Sequence, residues 1–477
     1  MTSAIIFLLI FIGLVLSFLS PHQGFFAILF AGFLQDPLRK LAPDEPVYYT
    51  VLVVVFAAVT FIGAKAKGAI VPFGAIPDWN PRLKTPIELF VLLVIAQCFA
   101  TLFYSGSVVL AGIGLLVYLA PFPALMMAYS FASSFDRVRA FLWLYVALSA
   151  AMELGVYLSW LGIDWDILRS VGESLVVYSA DTGDPLELPS GFLRAPEVAA
   201  WHAASGACIA LLLGLSKGRK DFGLASAALV VFFVGAVMLT GRRKFLLEIA
   251  MFLPIFWFLL RHFRMTTARV LHLILAGAVV SAVVIATGLA DENVREGFRA
   301  PVMRGQDTEG EVIDRMIGMT IGSLPYIIAD NGILGSGAGS GSGGAQYYGG
   351  GDDRVGGSAE GGLGKMLAEL GVPGILLFFW LAFRFAMYVW RTLALAGEID
   401  PESGQVAIGL AAFLAANGVV FATAHQVYSD PFILLLIGSC FGFIVATRRF
   451  EEAARLADAS SMQSEGLPIW RNQRRIV

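Results

Sequence analysis

Charge is scarce in this 477-residue chain. Asp, Glu, Lys and Arg make up 14% of it, against about 25% in a typical soluble domain. Neither sign dominates: the formal net charge is −3, so nothing in the balance points to nucleic acid. Cysteine is nearly absent. Cys98, Cys208 and Cys440 fall inside or at the edge of apolar runs, and they offer neither a paired disulfide framework nor metal-ligand spacing; they read as buried, inert thiols. No Gly-Lys-Ser/Thr accompanies the glycine-rich stretch 335–351. The nearby Gly364-Lys365-Met366 lacks both the hydroxyl and the upstream glycine spacing, which excludes a nucleotide phosphate loop. The stretch reads instead as a flexible, substrate-ordered loop. No internal repeat is visible, and no alternation of polar and apolar residues over about 10-residue strands supports a membrane β-barrel.

What is present is apolar. Hydrophobic residues make up 57% of the chain. Many runs approach the roughly 20 residues that an α-helix needs to cross a bilayer, so lipid is the solvent. The pattern gives an all-α polytopic membrane protein of about 12 transmembrane helices. Spans are expected at 3–20, 47–64, 86–104, 107–131, 138–161, 197–216, 222–240, 244–261, 268–289, 369–390, 403–424 and 430–447. The run 4–19 lacks a basic leader and a small-x-small cleavage site, and reads as a retained anchor. Residues 24–35 are apolar but too short to cross alone, so an interfacial or re-entrant segment is expected there. If they do cross, the count becomes thirteen and the N-terminus moves outside.

Lys and Arg in the short loops set the orientation. Lys65, Lys67, Arg82, Lys84, Arg137, Arg139, the 217–220 segment, 261–269 and the tail from Arg448 fall on one side, the cytoplasm, with both termini. Residues 1–448 form the membrane domain and 449–477 a cytoplasmic tail. Two long, acidic, Gly/Pro-containing loops, 162–196 and 290–368, lie on the periplasmic side.

One short loop opposes this rule. Arg242, Arg243 and Lys244 crowd a tight turn on the non-cytoplasmic side. The cations either snorkel to lipid phosphates or pair with acidic loops, or they hold an anionic substrate, for which the guanidinium fork suits phosphate oxygens. Asp164-Trp-Asp166 has the spacing of a divalent-metal clamp but is common by chance in an acidic loop. Asp36 is a similarly weak candidate. His202 and His425 lie near the outer ends of spans, where a site histidine and a hydrogen-bonded packing histidine are both open. His425 and Asp430 would face one cavity.

Three segments, in order, resemble the superfamily of bacterial O-antigen ligases and O-antigen polymerases. Ser190-Gly-Phe-Leu-Arg-Ala-Pro-Glu-Val-Ala-Ala200 is similar to the family's Gly-x-Phe-x-x-Pro-Asn-x-x-Ala pattern, with Glu197 in place of Asn. Thr240-Gly-Arg-Arg-Lys-Phe-Leu-Leu247 resembles the Ser-Arg-Gly turn of the Arg-x-x-x-Leu motif. The long loop carries Arg315 in a segment like Arg-x-x-x-Trp, without the Trp. It continues through Gly332-Ile-Leu-Gly-Ser-Gly-Ala-Gly339, like Pro-Leu-x-Gly-x-Gly. It closes with Glu360-Gly-Gly-Leu-Gly-Lys-Met-Leu-Ala-Glu-Leu-Gly371, where Glu360 takes the place of the ligases' His and Gly361 that of their Asn.

The resemblance covers about 190–440 and implies a GT-C-like fold in the bacterial inner membrane. It implies an inverting glycosyltransferase without metal or other cofactor, which transfers an undecaprenyl-diphosphate-linked glycan donor to an acceptor sugar hydroxyl at the periplasmic face. Membrane lipids and a chain-length regulator are the implied partners. Arg242 and Arg243 would hold the diphosphate, with Arg315 and Arg194 as weaker helpers, and Glu360 would be the base. Glu360 can equally be a loop or helix-start carboxylate. Its place in lieu of His leans toward a polymerase over a ligase. A lipid-linked oligosaccharide flippase or other transporter is the alternative of a different class. The loop signatures of a SEDS-type peptidoglycan polymerase are not found.

Overall fold

A computed structural model describes residues 2–76, 82–171, 177–178, 185–186, 188–215, 220–242, 244–265, 318, 322–342, 345–348, 361–396 and 401–464. The expected span at 268–289 and the candidate residues Arg243, Arg315 and Glu360 lie outside the described residues.

The described residues are built into helices and their connections, apart from a two-residue antiparallel ladder that pairs Val177–Tyr178 with Pro185–Leu186. The N-terminal half contains α1 (Thr2–Leu19), α2 (Pro21–Leu41), α3 (Leu52–Ala66) entered through a 3-10 turn at Val47–Val51, α4 (Lys84–Ser105), α5 (Val108–Leu119), α6 (Pro121–Phe131) and α7 (Phe135–Trp160). After the 162–196 loop come α8 (Pro196–Leu215), α9 (Lys220–Leu239) and α10 (Lys244–His262). Then follow α11 (Leu324–Asn331), α12 (Ala345–Tyr348), α13 (Gly362–Ala396), α14 (Pro401–Thr423) and α15 (Pro431–Ser464). Eight described helices are long and apolar enough to cross a membrane, and α5 with α6, bent by 43°, makes a ninth. Phe7, Phe99 and Phe103 point outward and are largely exposed, an arrangement that lipid tolerates and water does not.

Cross-helix contacts sort the helix ends into two sets. At one end Arg137 meets His22 at 3.1 Å, Arg449 donates to the Tyr129 carbonyl at 3.0 Å, and the His262 and Trp390 rings lie 4.7 Å apart. Lys65, Lys67, Arg139 and Arg448 belong to this basic end. At the other end lie the 188–195 segment, the α9–α10 turn, the start of α13 and the α14–α15 turn.

Three features depart from the sequence expectation. First, α2 is 21 residues long, about 31 Å at 1.5 Å per residue, whereas residues 24–35 were expected to lie flat or re-enter. A Cβ on Gly24 would lie 2.7 Å from Thr60 near the basic end. At the far end of the helix Lys40 Nζ donates to the Gly191 carbonyl at 2.7 Å. The helix therefore runs the full depth of the bundle. Its last turns carry Gln35, Asp36, Arg39 and Lys40, which depress hydropathy; Asp36, Arg39 and Lys40 find partners. The α1 start and Arg449 therefore fall at opposite ends of the helix bundle.

Second, residues 335–342 form a packed wedge where a flexible loop was expected. Ser336 N donates to Ala368 O at 2.7 Å, Gly337 N to Glu369 O at 3.1 Å and Ala338 N to Gln97 O at 3.2 Å. Gln97 Nε2 and Thr101 Oγ1 answer from α4, donating to Leu334 O and Ala338 O at 2.7 Å each. Small residues permit the approach: a side chain on Gly339, whose φ is 93°, would collide with the Leu110 carbonyl of α5. Third, α13 breaks at Gly371 (φ 67°, ψ −169°), so 362–370 is a separate buried helix set at an angle to the span that follows. At the C-terminus α15 continues past the expected limit of 447 to Ser464.

Candidate functional site

The two motif arginines reach the same end of the bundle by different local devices. Arg242 sits in the connection between α9 and α10. Gly241, with φ 66°, ends α9 in the left-handed conformation that glycine adopts without strain, and α10 restarts at Lys244. The turn is held flush because Leu188, from the segment before α8, packs over Gly241. Arg242 Nη2 lies 2.7 Å from Glu197 Oε1, with both side chains about one-sixth exposed at 17% and 16%. Glu197 is in the first turn of α8, so the cation rests against a helix start that itself favours a carboxylate. Of the two compensations open for the cationic turn, pairing with an acidic segment is present. The pair keeps a solvent-facing edge.

Arg194 is placed differently. Its backbone N–H and Nη1 donate to the two oxygens of Asp36 at 3.1 and 3.2 Å, and Nη2 donates to Asp430 Oδ2 at 2.5 Å. Both carboxylates are 1% exposed. Asp430 Oδ1 also accepts from Phe432 N at 2.7 Å, capping α15. Burial works against the charge on Arg194, but Asp430 and Asp36 outweigh it and raise the guanidinium pKa above its ordinary value. With two carboxylates around one guanidinium, the group has no charge left over for a substrate phosphate. The expected helper is a strut that ties α2, the 188–195 segment and α15 together.

His202 is completely buried on α8. Its Nδ1 lies 3.1 Å from the Tyr145 hydroxyl, and its ring is surrounded by Phe33, Trp201 and Phe432 at 4.9–5.2 Å. This is the packing histidine of the two alternatives. His425 is half-buried in the α14–α15 turn, and its carbonyl accepts from Tyr428 N at 3.0 Å. Asp430 is turned to Arg194 and the α15 start. The Asp164 and Asp166 carboxylates are occupied by Arg169, at 3.0 and 3.3 Å, on the exposed loop.

Several polar groups at this end were not singled out from sequence. Under the Arg242 turn, Glu248 of α10 is fully buried. Its Oε1 accepts from Ser205 Oγ at 3.1 Å and Asn417 Nδ2 at 3.2 Å. Asn417 Oδ1 in turn accepts from Trp201 Nε1 and from the Tyr428 hydroxyl at 2.8 and 2.9 Å. Glu153 of α7 is also fully buried, and neither of its oxygens has a partner among the described residues. A carboxylate inside an apolar run is itself a sequence signal, and both residues interrupt expected spans. Lys365 and Glu369, one turn apart on the 362–370 helix, are 4% and 0% exposed. Glu369 accepts from Gly341 N at 3.0 Å and from the Tyr118 hydroxyl at 2.6 Å, while Lys365 donates to Ser429 Oγ at 2.7 Å.

The turn between α14 and α15 joins these clusters. Tyr428 reaches the Glu248 network, Ser429 reaches Lys365, and Asp430 reaches Arg194. Lys244 Nζ lies 3.4 Å from Thr423 O, at the end of α14 just before that turn. No family model and no curated protein matches this chain.

Chemically, then, this end offers a cation with an open edge at Arg242, a second cation buried beside a hydroxyl at Lys365, and a rigid polar floor. An apolar cavity of about 240 Å³ adjoins it, lined by Val54, Ala57, Ala58, Leu116, Met127 and Pro431 among others. Pro431 immediately follows Asp430, so the cavity begins at the polar end and descends between α3, the α5–α6 bend and α15.

Proposed function

We propose that the chain is a membrane glycosyltransferase that polymerises undecaprenyl-diphosphate-linked oligosaccharide repeat units at the outer face of the bacterial inner membrane. The observation that carries this reading is the convergence of segments distant in sequence. The 190–200 segment, the Arg242 turn and the described stretches 332–342 and 361–371 lie at one end of the bundle, the end opposite the Arg137 and Arg449 cluster. The Lys/Arg bias of the loops favours the cytoplasm for that opposite end, which supports a periplasmic site at this one.

The chemistry follows from charge. A diphosphate leaving group gains negative charge as the sugar departs, and a preorganised donor at that point is worth about 3 kcal/mol. Arg242, anchored by Glu197 with an edge left open, is suited to it, with Arg243 beside it in sequence. An apolar cavity next to the polar end accommodates part of a prenyl chain. The acceptor hydroxyl needs a base within hydrogen-bond reach, the role assigned to Glu360 by its place in the closing motif. The same reading carries a GT-C-like architecture of twelve or thirteen spans. The place of Glu360 where ligases carry His favours polymerase over ligase.

The test is reconstitution. Purified protein in liposomes, given an undecaprenyl-diphosphate-linked repeat unit, should produce a ladder of longer glycans on the same lipid. Transfer to a separate acceptor without a ladder would mean a ligase. Movement of intact substrate across the bilayer without new linkages would replace the enzyme with a transporter.

A further inference from the structure

Lys365 is a buried cation whose hydrogen bonds are not filled by the described residues. An ammonium carries three N–H donors. One goes to Ser429 Oγ at 2.7 Å. The Glu369 carboxylate is 3.9 Å away, beyond hydrogen-bond length, and its oxygens are already turned to Gly341 N and the Tyr118 hydroxyl. Two donors of Lys365 therefore have no described acceptor although the residue is only 4% exposed, a costly state in a dry site.

A second group points the same way. Gly341 abuts the Lys365 side chain, close enough that a Cβ added to the glycine would fall 3.6 Å from Lys365 Cγ. The next residue, Ser342, is 5% exposed with a hydroxyl that has no partner among the described residues. The wedge holds both in place. Backbone N–H groups of 335–338 and 340–342 are all bonded within the protein, so the spare capacity at this point lies in side chains. The spare ammonium hydrogens and the hydroxyl are donors, which selects a ligand rich in acceptor oxygens and carrying negative charge.

We propose that Lys365, with Ser342, is a phosphate-binding position of the site, holding an oxygen of the prenyl-linked diphosphate. This assignment rests on the glycosyl-transfer reading above. It gives the diphosphate two cationic supports, one from α13 and one from the α9–α10 turn.

The experiment is binding to purified full-length protein, with undecaprenyl diphosphate, undecaprenyl monophosphate and inorganic diphosphate as separate probes. Wild type should bind undecaprenyl diphosphate. Lys365→Gln should weaken it by about tenfold or more, the loss expected for a charge-assisted hydrogen bond, and Ser342→Ala by about threefold. Tighter binding of the lipid than of inorganic diphosphate identifies the lipid headgroup as the source of the phosphate, and equal binding overturns that source. A folded Lys365→Gln protein, with unchanged elution and melting temperature, that binds like wild type overturns the proposal and leaves the glycosyl-transfer reading standing. If Lys365→Gln does not fold, unaltered binding by Ser342→Ala overturns it. A wild-type protein that binds none of the three probes overturns the glycosyl-transfer reading together with this one.

Discussion

Arg194 and Asp430 are 236 residues apart in the chain and meet at 2.5 Å. Because Asp36 completes the group from α2, this contact fixes where three separated parts of the sequence stand. It also separates two kinds of arginine at one end of the bundle: Arg194 is enclosed by carboxylates, whereas Arg242 has one carboxylate partner and an open edge.

Arg194→Ala should lower stability by about 3–5 kcal/mol, the usual result of leaving buried carboxylates without their partner. Thermal unfolding in detergent is the measurement. An Arg194→Ala protein as stable as wild type, with its lipid affinity alone reduced, would return Arg194 to the substrate site.

Arg242→Ala should leave folding intact and reduce transfer by about 10²–10³-fold. Arg242→Lys should recover little, because an ammonium cannot reproduce the planar fork. Glu197→Gln keeps an oxygen acceptor beside Arg242 and should cost less than either. Initial rates with reconstituted lipid-linked substrate decide the order, and wild-type turnover in Arg242→Ala would remove the diphosphate role.

Gly339→Ala should be poorly tolerated for a backbone reason. The φ of 93° and the contact with the Leu110 carbonyl leave no room for a methyl group, so a loss of about 1–3 kcal/mol is expected. Gly318→Ala, where a Cβ meets nothing within 4 Å, is the control. Equal melting temperatures for the two variants would mean that the 335–342 wedge is not packed as described.

Glu248 gives a graded series. Glu248→Gln retains an acceptor for Ser205 and Asn417 and should be nearly neutral. Glu248→Leu removes the acceptor of one Asn417 amide hydrogen and of the Ser205 hydroxyl, while Asn417 keeps its bond to Phe413 O, and should cost about 1–3 kcal/mol. If both variants melt alike, the Glu248–Asn417 contact contributes nothing to the floor of the site.

The apolar cavity predicts dependence on chain length. Ala58→Phe places a ring in it, and should raise KM severalfold for an undecaprenyl-linked substrate while sparing a short-prenyl analogue. Equal effects on both substrates would detach the cavity from substrate binding.

Most helix positions could be read from hydropathy, since continuous apolar runs such as those of α4, α7 and α14 have no other stable solution in lipid. The exception is α2. Its last turns carry Asp36 and Lys40, and only the tertiary partners Arg194 and Gly191 make those residues tolerable there. Arg242 was legible because a cationic turn on the wrong side of the charge bias is conspicuous. Glu197 was visible only as a departure from a motif, and its pairing to Arg242 depends on how α8 docks against the α9–α10 connection. The packing of 335–342 was not legible, because glycine and serine that permit close approach have the same composition as glycine and serine that permit disorder. Lys365 has the look of a failed nucleotide motif until the wedge gives it neighbours.

The three contacts made by Tyr428, Ser429 and Asp430 come from adjacent residues, whose Cα atoms are held about 3.8 Å apart by the peptide bond. They share one register, so lengthening this turn by a single residue would misalign at least two of them at once, although none of the helices it joins would be touched. Homologues that vary freely in their outer loops should therefore keep the length of this turn constant.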